Sequence, residues 1–234
     1  MPNAQRVAGW GTLGFSLAFF VTFVVNALMN MGATGPDYPT ASEMAADFGG
    51  GALFMLLWGS AGVAIVVAAV GLSAAVWPAD AIASRVATSF GVIAGAGWIM
   101  AGVSGFAQRT ALLNGNIAAA GADPAAERAV VEGLYIGVHT GGILFAFAAL
   151  PWLALVAIGA TKRHAMSRVA IGCLWVASVA SLAGFLISGL QFGLLVVLLA
   201  FAVLGTSLLR RARKASRMTE AAASASAEVS APAA

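Results

Sequence analysis

Charged and apolar positions are sorted along this chain into long blocks. Residues 7–36 carry no charged side chain, and the same is true of 48–79, 86–108, 133–161 and 169–209. Each block is mostly apolar and longer than the roughly 18 residues a helix needs to cross a hydrocarbon layer about 30 Å thick. The pattern predicts helices near 8–31, 50–77, 86–108, 133–159, 168–187 and 191–210. The last two share one uncharged run, which as a single helix would reach about 60 Å, twice the thickness of that layer. It therefore folds back, and Ser188-Gly189 ahead of Gln191 is its most turn-like point.

Charge placement supports six crossings. With the N-terminus cytoplasmic, the inner side receives Arg6, Arg85, Lys162, Arg163, Arg168, Arg210, Arg211, Arg213, Lys214 and Arg217, whereas the outer side receives only Arg109 and Arg128. This obeys the positive-inside rule, and five crossings would break it by exporting the basic segment after Leu209. The outer loops carry Asp37, Glu43, Asp47, Asp123, Glu127 and Glu132, so that face is acidic. The expected fold is all-α, a polytopic bundle of six transmembrane helices over residues 1–214 with both termini cytoplasmic. Residues 215–234, rich in Ala and Ser, are expected to form a disordered cytoplasmic tail. The apolar stretch from Ala8 to Met31 exceeds the roughly 7–15 residues of a signal peptide's apolar region, so it reads as a retained first span.

Composition narrows the function classes. Hydrophobic residues make up 61% of the chain and charged residues 9%, against about 25% charged in a soluble domain. The basic residues are too few and too confined to loops to suggest a nucleic-acid partner. A lone Cys173 rules out an internal disulfide and a multi-cysteine metal site, and reads as a packing residue. No nucleophile elbow, zinc-protease helix or phosphate loop is present, so no catalytic residue is assigned and an enzyme is not expected. Gly49-Gly50-Gly51 lacks the lysine of a phosphate loop and reads as a flexible start to the second span.

Small residues at four-residue spacing let membrane helices approach closely. Gly133, Gly137 and Gly141 form one such row, and Gly91 with Gly95, then Gly102 with Gly105, another. They predict seams inside the bundle, with a homodimer or a membrane-protein partner as the other use of such a row. Pro151 is expected to bend the fourth helix, and Trp10 and Trp77 suit the inner interfacial belt. The outer loops hold Gly35-Pro36-Asp37-Tyr38-Pro39 and Asn114-Gly115-Asn116, both turn signals, and Asp123-Pro124, a helix start.

Polar groups at membrane depth are where function would gather. No Asp, Glu, Lys or Arg falls in the middle of a span. Glu132, Tyr135 and His139 share one face of the fourth helix; Thr22, Asn26 and Asn30 form a stripe on the first; Ser104, Gln108 and Arg109 end the third. Their convergence would create an outward-facing polar pocket for a small ligand arriving from outside, lined by Asn26, Asn30, Gln108, Arg109, Glu132, Tyr135 and His139, with Arg109 paired to Glu132 and Asn26 to His139 or Tyr135. The competing reading is that these groups bond one another and fix helix register. No metal or cofactor is expected: one deep histidine does not make a haem pair, and His164 lies at the opposite face beside Lys162 and Arg163. The clusters Lys162–Arg168 and Arg210–Lys214 set orientation and attract anionic membrane lipids, at about 1 kcal/mol per side chain.

Arg6-Val7-Ala8-Gly9 opens the first span, Pro36 and Tyr38 follow it, Pro78 closes the second and Arg85 opens the third. In these marks the chain resembles the bacterial multi-pass membrane proteins grouped as domain of unknown function 4386, over most of residues 6–210. Where members tend to carry an acidic residue early in the third span, this chain has Thr88 and Ser89. The resemblance implies a protein of the bacterial cytoplasmic (inner) membrane and no mechanism. The expectation for function is a non-enzymatic accessory or small-ligand-binding protein; a permease for a small neutral or weakly charged solute comes second, and a membrane redox subunit using His139 last.

Overall fold

The computed structural model describes residues 2–29, 48–114, 124–188 and 191–230. The described residues form six helices: α1 (Pro2–Met29), α2 (Phe48–Val76), α3 (Ile82–Leu113), α4 (Pro124–Lys162), α5 (Arg168–Ser188) and α6 (Gln191–Ser230). Five contain a stretch long and apolar enough to cross a membrane, and α5 contributes a shorter apolar one, Arg168–Ala183. α5 ends at Ser188 and α6 begins at Gln191, where the uncharged run was expected to double back. α4 opens on Pro124, whose missing N–H costs nothing in a first turn, and continues through Pro151 to Lys162. The loop of Pro36, Asp37 and Tyr38, and the turn around Gly115, lie outside the described residues.

Residues 215–230 continue α6 as helix instead of forming an irregular tail. Alanine is the strongest helix former, so a segment too polar to make a core can still extend an established helix. Arg6 fastens it: its Nη2 donates to Ser216 Oγ at 2.8 Å.

Each helix packs on its neighbours in the chain, and α1 closes the ring against α6. Glycines set the seams. A Cβ on Gly62 of α2 would lie 2.6 Å from the Gly95 carbonyl oxygen of α3, and one on Gly97 of α3 would lie 2.9 Å from the Phe145 N of α4. Only glycine permits such backbone approach. Gly9 against Gly205 does the same between α1 and α6. Gly133 has open space around its Cβ position, so the expected row packs through Gly137 and Gly141 alone. Two hydroxyls reach across: Ser16 donates to the Leu198 carbonyl and Ser178 to the Leu150 carbonyl, each at 2.9 Å.

The middle of the ring is filled with aromatic side chains. Phe15 of α1 stacks on Phe145 of α4 across the bundle, ring centroids 6.3 Å apart, and meets Phe201 of α6 at 5.3 Å. Trp98 of α3 touches Phe19 at 4.8 Å and Phe145 at 5.5 Å, and Trp152 meets Phe201 edge-on at 6.2 Å. Phe15, Phe145, Trp98, Trp152 and Phe201 are all fully buried. Trp77 is buried against Gly159, whereas Trp10 is exposed near the same end.

The two ends of the bundle differ chemically. Arg6 meets Ser216, Trp77 meets Gly159, and Ser167 Oγ lies 3.3 Å from Ser207 Oγ, which gathers the basic segments at one end. α4 stops there in a Schellman motif: the Ala165 N–H donates to the Ala160 carbonyl and the His164 N–H to the Thr161 carbonyl. His164 occupies the left-handed position, φ 51°, that glycine usually fills.

Candidate functional site

The end away from the arginine clusters holds the described residues of the expected pocket. It is built from the last turns of α3, the third to fifth turns of α4 and the last turns of α1. Ser104 and Gln108 lie one turn apart on α3, so they share a face. Gln108 Nε2 donates to Ser104 Oγ at 3.0 Å. This pair sits over Gly137 of α4, where a Cβ would come within 2.9 Å of Gln108 Nε2. The absence of a side chain at Gly137 makes room for the amide between the two helices.

Arg109 follows Gln108 about 100° further round α3. It is half-buried, with its Nε inside the protein surface. On α4, Glu132 is exposed. His139 is two residues beyond Gly137, about 200° round the helix, and is exposed on the side away from α3. The structure thus unites Ser104, Gln108 and Gly137 in the α3–α4 seam and turns His139 outward. On α1, Thr22 is buried and donates to the Ala18 carbonyl of its own helix at 2.8 Å, which satisfies its hydroxyl locally. Asn26 continues that helix and Tyr135 lies on α4; their side chains, and Asn30 altogether, lie outside the described residues.

Below this end the aromatic cluster begins. Trp98 lies six residues before Ser104 on the same helix, about 9 Å deeper. The indole Nε1 atoms of Trp98 and Trp152 are buried without an acceptor among the described residues. Periodicity did not mark these aromatics out, because the spans are apolar on every side. Among the described residues no group of three or more His, Cys, Asp or Glu could hold a metal ion.

Helix length and hydropathy together define the class: this is a multi-pass integral membrane protein. No protein-family model, curated protein or solved structure matches the chain.

Proposed function

We propose that the chain is a non-enzymatic protein of the bacterial cytoplasmic membrane, crossing it six times with both termini inside, and that it acts as an accessory or small-ligand-binding component. The observation that carries this reading is the aromatic packing of Phe15, Phe19, Trp98, Phe145, Trp152 and Phe201, contributed by α1, α3, α4 and α6. A bundle whose helices meet through interlocked rings is a compact body, not the wall of an aqueous path. Interiors packed in this way shift between discrete arrangements and do not open gradually. The gathering of basic segments at one end supports the orientation. At the other end Gln108, set in the α3–α4 seam over Gly137, offers its amide to a small polar ligand from outside.

Two measurements test this. A tag after Ala234 should be protected from external protease in intact cells, while an impermeant reagent should label a cysteine introduced at Gly115. Proteoliposomes should show no flux of small neutral solutes above that of empty vesicles. Flux abolished by His139→Ala would replace the accessory reading with a permease, and a haem absorption band in the purified protein would replace it with a redox subunit.

A further inference from the structure

At the basic end, on the outer surface, α5 and α6 leave a groove of about 570 Å³ lined by Ser167, Val169, Ala202, Val203, Thr206, Ser207 and Arg210. We propose that this groove binds an anionic phospholipid of the membrane leaflet it faces, with the phosphate between Arg210 and the Ser167–Ser207 pair. The inference rests on the reading of the chain as membrane-embedded and adds a selective lipid site to it.

The order of side chains along α6 matches the order of chemistry along a phospholipid. Ala202 and Val203 come first, then Thr206 and Ser207, then Arg210. The eight residue steps from Ala202 to Arg210 span about 12 Å, passing from hydrocarbon depth to the headgroup layer. The hydroxyl pair has a proton to give. Ser167 Oγ and Ser207 Oγ lie 3.3 Å apart and share one hydrogen bond, while Ser167 Oγ also accepts from the Ala170 N–H at 3.2 Å. Two hydroxyls joined by one bond leave one O–H to donate to a phosphate oxygen. The Thr206 hydroxyl is committed to the Ala202 carbonyl at 2.7 Å, so it shapes the wall.

Charge complementarity fixes the sign of the ligand. Arg210 lines the groove, Arg168 adjoins Ser167, and Arg211, Arg213 and Lys214 follow, all exposed. No acidic residue occurs between Glu132 and Glu220, so nothing on α5 or the membrane part of α6 repels an anion. A track for an acyl chain continues inward. Gly172 lies one turn deeper than Val169 on the same α5 face and has open space where a Cβ would stand. On α6, Val203 and Leu199 are exposed along the matching line.

The test uses the full chain purified in mild detergent and supplied with phosphatidylcholine, phosphatidylglycerol or inorganic phosphate, read by lipid retention in native mass spectrometry. Phosphatidylglycerol should be retained over phosphatidylcholine, and inorganic phosphate should not displace it. Arg210→Ala should lower that retention about fivefold, the effect of removing one cation at an anionic lipid surface. Gly172→Leu, which meets no protein atom at its Cβ position, should lower it without lowering thermal stability. Arg85→Ala, an exposed cation on α3 at the same end, should leave it unchanged. Equal retention of the two lipids, equal losses from Arg85→Ala and Arg210→Ala, or displacement by inorganic phosphate would overturn the site. Failure of the chain to float with vesicles would overturn the membrane reading instead, so the two failures are distinguishable.

Discussion

Gly141 lies where α3 and α4 come closest, and adding one methyl group there puts a number on the seam. In Gly141→Ala the new Cβ would lie 2.8 Å from the Ala101 Cβ and 2.9 Å from the Ala101 N, and would press on the Gly97 carbonyl. Comfortable carbon contacts are about 3.5–4.0 Å, so the helices must part by about 0.7–1.2 Å. A gap of that size forfeits about a quarter to a half of each contact along the seam, and overpacking of this kind costs about 1–3 kcal/mol. For a chain of this length about 2–4 °C of melting temperature follows each kcal/mol, so the midpoint should fall by about 2–12 °C. Gly133→Ala is the control on the same helix. Its Cβ meets nothing within 4 Å, and exchanging glycine for alanine in a helix gains up to about 1 kcal/mol. The assay is the temperature at which the monodisperse peak is lost on size exclusion in mild detergent. A Gly141→Ala protein as stable as Gly133→Ala would refute the claim that backbone approach holds α3 to α4.

Three further outcomes are expected. Phe145→Ala removes the ring that joins Phe15 of α1 to Trp98 of α3 and should cost about 3–5 kcal/mol, seen as loss of the folded peak at moderate temperature. Ser178→Ala removes the bond to the Leu150 carbonyl and should cost about 0.6 kcal/mol and no more than about 1.7, a shift of a few degrees in the same assay. His164→Gly relieves a left-handed residue at the end of α4 and should raise stability by about 1 kcal/mol, provided the Ala165 to Ala160 bond is kept.

The helices were legible because hydrocarbon imposes a length, and a block without charges has few other uses. The division of the last uncharged run into α5 and α6 followed from the same arithmetic. Glycine spacing identified close-packing rows, but spacing alone does not say which member meets a neighbour: Gly141 does and Gly133 does not. Helical geometry sets Gly137 and His139 about 200° apart on α4, so the residue that packs on α3 and the exposed imidazole occupy different faces. A helix apolar on all sides carries no sequence mark of its inward face. The aromatic centre was hidden for that reason, since Phe15, Phe145 and Phe201 look like any lipid-facing phenylalanine. The helical extension past Arg217 was missed because low hydrophobicity was weighed above alanine's intrinsic preference.

The contact between α1 and α6 has a consequence for how the protein is made. α1 leaves the ribosome well before α6, so Gly9, Thr12 and Ser16 must wait, uncovered, through synthesis of the helices between. During that interval five helices form an open arc whose free edge is small and polar enough to attract wrong company. The vulnerable step is therefore the arrival of α6, and a chain stalled before Leu198 should be a substrate for membrane quality control even though α1 to α5 are already in place.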